Sequence, residues 1–433
     1  MKKKQLRWTL WTIASPFILF IILCILIYLP PIQNFLVDKA AVYASEATGM
    51  NISVGRISLS FPLNLVVTDV DAASPHKDTL LSVRRLQVNV QLLPLLKKQV
   101  EVDGISLQGA TVNSNDLIHG MRLNGTLGEL FISSHGVALD PETAIVNKVL
   151  LKDTDLSLCL NDTAAADTAA SDPTYWKIIL QDIDLQNVSF ALDMPLDSLS
   201  LAASLDNATL RDGLIDLHKS AYSLQTFRIK NGRVRYDSGR PSATASADSL
   251  SAGLDPSHIA LTDIGVKLDS LYYEGRNMKA VISQFVLKER SGVEIVSTEG
   301  RLVSNDKVLR VPSLKLETRD SYLELNAAMD WDALDFKKEG LVSARLMADI
   351  GKPDVVRFMG SMDEKFIRKY PSEPLRIRTG IDGDLNKLKL TTLTAELPGA
   401  LELFAKGELT SLTDSLLRGG DITCLLYTSP SPR

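Results

Sequence analysis

Residues 105–112 of this chain read ISLQGATV, with large apolar side chains at the first, third and eighth positions and Gly109 at the fifth. The same arrangement recurs as VLLKDTDL at 149–156, IDLQNVSF at 183–190 and FRIKNGRV at 227–234, with Asp or Asn at the fifth position. Gly, Asn and Asp are the residues that most readily adopt left-handed or turn conformations. We therefore expect each copy to be a strand, a tight corner and a second strand that resumes the alternation.

The spacing of these copies indicates a protein that is mainly β and built from repeats. Successive copies start between 34 and 44 residues apart, which is typical of a repeated structural unit. Apolar residues also alternate with polar ones in 313–317 and 322–327, on either side of a turn at 318–321, and again around the turn at Pro398 and Gly399. Alternation with a period of two predicts half-buried strands.

The N-terminal end predicts a single transmembrane helix over residues 8–29. These 22 residues carry no charge, and a helix of that length spans roughly 33 Å, about the thickness of a bilayer core. The positive charges lie before the span, so the N-terminus is predicted to be cytoplasmic and the rest of the chain outside. A cleaved signal peptide is the alternative, but its apolar region is shorter, about 7–15 residues. The topology residues are Lys2, Lys3, Lys4 and Arg7, and the anchor residues are Trp8, Trp11, Phe17, Phe20 and Tyr28.

Four further boundaries follow from changes in pattern. An amphipathic helix is predicted at 31–49, and the β-rich body is predicted at 50–423. Within that body we expect a flexible loop at 161–173 and a helix at 353–370 that turns Val356, Phe358, Met359 and Phe366 towards the sheet. Residues 424–433 resemble the conceptual translation of a sequencing adapter, and we interpret them as an artefact that replaces a longer natural chain.

Composition and motifs exclude several classes of function. The chain has 433 residues and a net charge of −5, and since residues 1–7 contribute four positive charges, the remainder is acidic and not expected to bind nucleic acid. The five His residues are scattered, and no metal-ligand, nucleophile or phosphate-loop motif is present. The residues Asp382, Asp384 and Asn386 mimic the start of a calcium loop, but a hairpin turn is the better interpretation because the required Gly and Glu are missing. We predict no enzyme activity, no metal and no cofactor.

Three features together resemble the AsmA-like family, and within it the TamB-type translocation and assembly proteins. The first is the basic start and single span followed by the helix that ends EATG at 46–49 and by ISVGRI at 52–57. The second is LLPLLKKQV at 92–100, which leads into 102–112. The third is PLRIR at 374–378 followed by GDLNKLKL at 383–390.

This resemblance implies a protein of the Gram-negative inner membrane with a periplasmic body, formed by an elongated, curled β-sheet of the groove or β-taco type. It also implies phospholipids as cargo on their way to the outer membrane, and an outer-membrane barrel of the Omp85 type as a partner. The alternative that the sequence leaves open is an anchored scaffold with a dry β core that assembles outer-membrane or secreted proteins. The residues predicted to line the groove are Leu107, Val112, Leu185, Ile229, Leu314, Leu316, Leu323, Leu325, Leu393, Leu397, Leu401 and Leu403.

Overall fold

The computed structural model describes most of the β-rich body. It covers residues 39, 41–42, 45–46, 50–60, 64–74, 79–91, 102–114, 120–138, 142–161, 175–239, 253–334, 338, 340–359, 363–384, 386–412 and 419–428. The chain divides into two compact units, Met1–Ala164 and Ala165–Arg433, which are described separately below. In both units the described residues are mainly β, as the sequence predicts.

The first unit contains six strands in an antiparallel meander, in which each strand pairs with the next one along the chain. The later strands are longer than the earlier ones, up to 18 residues in β5 and β6. The strands are β1 (Asn51–Ser60), β2 (Asn64–Ala73), β3 (Thr79–Val90), β4 (Val102–Asn113), β5 (Met121–Ala138) and β6 (Thr143–Leu160).

The described residues of the second unit form fourteen strands, most of which also pair with the next strand along the chain. Its one departure from a simple meander involves β8, which pairs with β7 on one side and with both β10 and β9 on the other. β9 and β10 are separated only by Gln225, whose N–H donates to the Arg211 carbonyl at 3.1 Å. The strands are β7 (Lys177–Met194), β8 (Leu199–Asp216), β9 (Ala221–Leu224), β10 (Thr226–Ser238), β11 (His258–Glu274), β12 (Asn277–Glu289), β13 (Glu294–Ser304), β14 (Val308–Thr318), β15 (Tyr322–Asp330), β16 (Val342–Ile350), β17 (Leu375–Gly383), β18 (Lys387–Leu397), β19 (Leu401–Thr410) and β20 (Gly419–Thr428).

Short helices interrupt the second unit at two points. A 3₁₀ turn, η1 (Trp331–Leu334), follows β15, and the connection between β16 and β17 contains α1 (Lys352–Met359) and α2 (Glu364–Lys369). The segment 353–370 is therefore two helices and not one. The predicted orientation of its apolar residues is wrong for three of the four, because Phe358, Met359 and Phe366 are 55%, 64% and 52% exposed, whereas Val356 is half-buried.

The four repeated segments confirm the predicted left-handed residue at the fifth position. Gly109, Asp153, Asn187 and Asn231 all have φ between 50° and 62°. The prediction of two separate strands around each of them is wrong, because each of these residues lies inside one continuous strand, β4, β6, β7 or β10. The pairing on either side keeps the same register between β3 and β4, where Val83 faces Ala110 and Arg85 faces Gln108.

The left-handed residue explains how one face of each strand stays apolar. In a regular strand, residues three apart point to opposite faces. A single left-handed residue between them shifts that alternation by one position, so Leu107 and Ala110 on either side of Gly109 are both half-buried. The residues between and beyond them, Gln108, Thr111 and Asn113, are exposed. We call these positions the kink residues: Asp69, Gly109, Asp153, Asn187, Asn231 and Asp263.

Several predicted segments lie outside the described residues. These are the basic start, the transmembrane span at 8–29 with all of its anchor residues, nearly all of the loop at 161–173, and most of the helix at 31–49, of which Lys39, Ala41, Val42, Ser45 and Glu46 are described and helical. Among the described residues, no helix is both long and apolar enough to cross a membrane. Residues 424–428 lie in β20, whose residues are all exposed and which pairs with β19.

Candidate functional site

The sheet of the first unit has one face made of continuous apolar rows, where a row is a set of residues that face one another on successive strands. Two of these rows contain residues predicted to line a groove, Leu107 and Val112. The left-handed residues of β2, β4 and β6 shift the alternation at one level of the sheet, and β1, β3 and β5 pair with these strands on both sides of that level, so the rows on both sides of the kink residues lie on one face. The rows are Ile57, Val67, Leu86, Leu107, Leu130 and Leu151, and Ile52, Ala72, Leu81, Val112, Gly125 and Leu156.

The opposite face of the first unit is polar beside the kink residues, and a row further along it also contains Val66, Phe131 and Leu150. A row next to the kink residues crosses all six strands without an apolar side chain. It consists of Arg56, Thr68, Arg85, Gln108, Glu129 and Lys152. The sheet of this unit is therefore amphipathic, with water facing one side and an apolar surface on the other.

In the second unit, the structure brings most of the predicted lining residues into two adjacent rows. Leu316 faces Leu323, and Leu314 faces Leu325, across the hairpin of β14 and β15. Both rows run from β13 to β20. They are Thr298, Leu316, Leu323, Ala348, Ile377, Ala395, Leu403 and Leu426, and Gly300, Leu314, Leu325, Leu346, Thr379, Leu393, Ala405 and Cys424.

The remaining predicted residues of this unit pair in the same manner. Leu185 and Ile229 flank Ala208 from the two sides, in a row that continues to Val266 and Phe285. Leu397 and Leu401 face each other at the start of the hairpin between β18 and β19. The reverse side of these last strands is mostly charged or polar, as in the row Glu317, Tyr322, Asp349, Arg376, Glu396, Glu402 and Tyr427.

Most of the large side chains in these apolar rows are only half-buried, and Leu81 at 38% and Leu426 at 58% are exposed. Of the twelve predicted lining residues, eleven are half-buried and Leu397 is buried at 7% exposure. The buried positions within the rows are mainly small residues, such as Ala208, Ala348 and Ala405 at 2–4%, because longer neighbouring side chains cover them. Asp354 is the one fully buried large side chain among the residues that the structure describes. A second layer packed on these rows would bury the Leu and Val side chains, as in the core of a β-sandwich.

Sequence reasoning found part of this surface and missed the rest. It found the strands that carry the repeated pattern and the two clear hairpins, but it missed intervening strands such as β16, which contributes Leu346 to the rows above. It also missed one copy of the pattern itself. Residues 259–266 read IALTDIGV, with Asp263 at the fifth position and φ of 53°. The signal was available there, because the apolar and turn-forming positions match those of the other copies.

A polar cluster lies apart from the apolar rows, where α1 meets the turn between β14 and β15. The Asp354 carboxylate is fully buried and accepts hydrogen bonds from Thr318, from Ser321 Oγ at 2.6 Å and from Arg357 Nη1 at 2.9 Å. Arg357 Nη1 also donates to Asp320 Oδ2 at 2.8 Å.

The protonation of this cluster is set by two opposing effects. Burial by itself raises the pKa of Asp354, but the hydrogen bonds from Ser321, Thr318 and Arg357 outweigh it and hold that pKa below its ordinary value. Burial by itself lowers the pKa of Arg357, but the hydrogen bonds to Asp320 and Asp354 outweigh it and hold that pKa above its ordinary value. Both groups are therefore charged near neutral pH and form an ion pair within α1, in which Asp354 is buried and Arg357 is 28% exposed. The contacts that fix α1 to the sheet are those of Asp354 with Thr318 and Ser321 and that of Arg357 with Asp320.

Metal sites and the predicted hairpin turn can be compared with the structure. Within the described part of the chain, no group of three or more His, Cys, Asp or Glu side chains is placed to hold a metal ion. Asp384 lies between β17 and β18, where its carboxylate accepts from the N–H groups of Asn386 and Lys387 at 2.7 and 2.8 Å. This is the hairpin turn that the sequence favours over a calcium loop.

The comparisons with known proteins place the chain in no family. No profile of a known protein family matches it. No curated protein matches its sequence. The apolar rows and the polar cluster are therefore interpreted from their own geometry.

Proposed function

We propose that this chain is an envelope protein of the AsmA-like, TamB-type kind, anchored in the inner membrane, whose apolar sheet face binds phospholipid acyl chains and carries them towards the outer membrane. The observation that carries the proposal is the set of long apolar rows with half-buried Leu and Val side chains. Acyl chains are the ligands that such a surface fits, since each buried CH₂ contributes roughly 0.8 kcal/mol and no polar partner is needed.

The arrangement of the strands supports a continuous path for such a ligand within each unit. Rows run perpendicular to the strands, which lie about 4.8 Å apart, so the seven residues of a row from β13 to β19 extend over about 29 Å. That distance exceeds the length of one acyl chain, and neighbouring rows offer the same apolar surface. Curling of the sheet into a groove would shelter this surface from water, as the resemblance implies, and is part of the proposal.

The alternative is an anchored scaffold with a dry β core that assembles outer-membrane or secreted proteins. Its core requires the same rows to be covered by protein. The half-buried state of eleven of the twelve lining residues weighs against that arrangement. A partner barrel of the Omp85 type fits either function.

Photocrosslinking from the two faces of one sheet tests the proposal. A photoreactive amino acid at Leu316 or Leu403 probes the apolar face, and the same amino acid at the adjacent Lys315 or Glu402 probes the reverse face as a matched control. We expect phospholipid adducts from the first pair at a yield several-fold above the second, detected by mass spectrometry after expression in a Gram-negative host. Equal yields from both faces, or adducts with protein alone at Leu316 and Leu403, would favour the scaffold.

A further inference from the structure

Polar contacts hold the connection between β16 and β17 to the sheet. Helices as short as α1 and α2 are not stable in isolation and depend on tertiary contacts. In α1, Asp354 accepts hydrogen bonds from Thr318 and Ser321, and Arg357 donates one to Asp320. α2 is tied to α1 where Lys352 Nζ donates to the Tyr370 carbonyl at 2.8 Å. These contacts position both helices without involving Phe358, Met359 or Phe366.

This mode of attachment leaves apolar side chains in water. Phe358 and Met359 at the end of α1 and Phe366 in α2 are more than half exposed. A surface helix ordinarily turns such residues towards the core, because burying each of them contributes roughly 1.5–3 kcal/mol. Here a charged residue, Asp354, occupies the buried position of α1 instead. A cluster of exposed apolar residues on a fixed element is typical of an interaction surface.

The charges beside this cluster indicate which partner it fits. Lys365 and Lys369 lie on either side of Phe366 in α2 and are exposed. They stand out on a chain with a net charge of −5. Exposed aromatic and Met side chains next to lysines are the composition of helices that lie in the interface of an anionic bilayer, where each nearby Lys contributes about 1 kcal/mol.

We propose that α1 and α2 form a docking site for the surface of an anionic phospholipid bilayer. Phe358, Met359 and Phe366 enter the boundary between headgroups and acyl chains, and Lys365 and Lys369 contact lipid phosphates. The hydrogen bonds of Asp354 and Arg357 to the turn between β14 and β15 keep α1 in place on the sheet, and Lys352 ties α2 to α1. This contact goes beyond the proposed transport function and does not depend on the apolar rows holding lipid.

A fluorescent probe on α1 tests the docking in the full chain reconstituted into vesicles. Cys24, Cys159 and Cys424 are replaced by Ser, and a single environment-sensitive label is placed at Met359→Cys or, as a control at the turn between β13 and β14, at Lys307→Cys. In vesicles with about 30% phosphatidylglycerol in phosphatidylcholine, we expect a blue shift at position 359 and quenching by spin-labelled lipid at least three-fold stronger than at 307. The double variant K365Q/K369Q should lower the equilibrium constant for docking by roughly 30-fold, and pure phosphatidylcholine should have a similar effect.

Three results would overturn the docking site. One is equal quenching at positions 359 and 307, and another is quenching at 359 that does not depend on phosphatidylglycerol. The third is a blue shift in detergent that rises with protein concentration, which would identify a second copy of the chain as the occupant. Since the probe reads α1 alone, loss of docking with intact lipid crosslinking at Leu316 and Leu403 removes this inference only. Docking without such crosslinking removes the proposed transport function only.

Discussion

The kink residues are the single positions on which the apolar face depends most directly. Six strands place an Asp, Asn or Gly with φ near +50° to +62° at the point where the alternation shifts. Asp and Asn tolerate this conformation better than other residues with a Cβ, because their short polar side chains form local hydrogen bonds. A β-branched residue at such a position would oppose the shift and tend to turn the following apolar side chains to the wrong face.

Substitution of Asp69 in β2 provides a matched test. Asp69 has φ of 55° and Asp71 an ordinary extended backbone, and both are exposed in the same strand. We expect Asp69→Val to lower the free energy of unfolding by about 1–2 kcal/mol more than Asp71→Val, although both remove one carboxylate. Urea-induced unfolding followed by circular dichroism gives the difference. Asp69→Gly should be tolerated, because Gly adopts the left-handed conformation readily. Equal destabilisation by Asp69→Val and Asp71→Val would show that this conformation does not constrain the residue at position 69.

At the scale of the element, α1 shows why a buried charge and exposed aromatics occur in one short helix. The turn between β14 and β15 offers two hydroxyl donors, Thr318 and Ser321, to any acceptor placed against it. Asp354 satisfies both donors and also pairs with Arg357, so α1 turns this side inward. The chain approaches the turn closely at Gly351, where a side chain would collide with the Asp320 carbonyl. The helix is thus oriented by hydrogen bonding and not by its apolar residues.

Removal of the Asp354 carboxylate should release α1 and leave the rest of the sheet intact. In Asp354→Ala, the hydroxyls of Thr318 and Ser321 and the guanidinium of Arg357 lose an acceptor in a buried place, at a cost of about 3 kcal/mol. Hydrogen exchange at the amides of α1 should accelerate by roughly 100-fold. Asp363→Ala, which removes only the N-cap of α2, is the control and should accelerate exchange in α2 by about ten-fold or less. Acceleration spread over β14 and β15 would contradict a local role.

The same cluster gives a pH dependence of defined sign. The pKa of Asp354 is lowered from its ordinary value of 3.8 in the native protein. The stabilisation of α1 by the carboxylate is therefore complete above pH 3.8 and is lost as the pH falls through the lower native pKa. The difference in exchange between wild type and Asp354→Ala should shrink in that acidic range. A difference that stayed constant through the titration would show that the carboxylate charge does not hold the helix.

At the scale of the whole molecule, the proposed anchor determines on which side of the inner membrane the apolar face lies. The span at 8–29 lies outside the described residues and stays a prediction from the sequence. We expect the full chain to remain in the membrane pellet after alkaline carbonate extraction and a variant lacking residues 8–29 to be released, because 22 uncharged residues insert stably and peripheral contacts do not. Release of the intact chain by carbonate would exclude a transmembrane anchor, and retention of the deletion variant would locate the anchor elsewhere.

The β architecture and the left-handed residues at the repeated positions follow from the amino-acid sequence alone. Both depend on neighbours in the chain, since alternation sets the two faces of a strand and Gly, Asn or Asp at a fixed position accepts positive φ locally. The hairpins around 318–321 and around Pro398 and Gly399 were predictable for the same reason.

The pairing of the strands in the folded chain determines which apolar residues meet in rows and how deeply they are buried. Register depends on strands that are separate in sequence, so Leu346 joins the row of Leu325 although no motif marks its strand, and Ile377 joins the row of Leu323. The orientation of α1 was likewise decided by partners more than thirty residues away, the hydroxyls of Thr318 and Ser321. The apolar pattern of a helix indicates which side is hydrophobic. In α1, however, the hydrogen bonds from Thr318 and Ser321 to Asp354 determine which side faces the sheet.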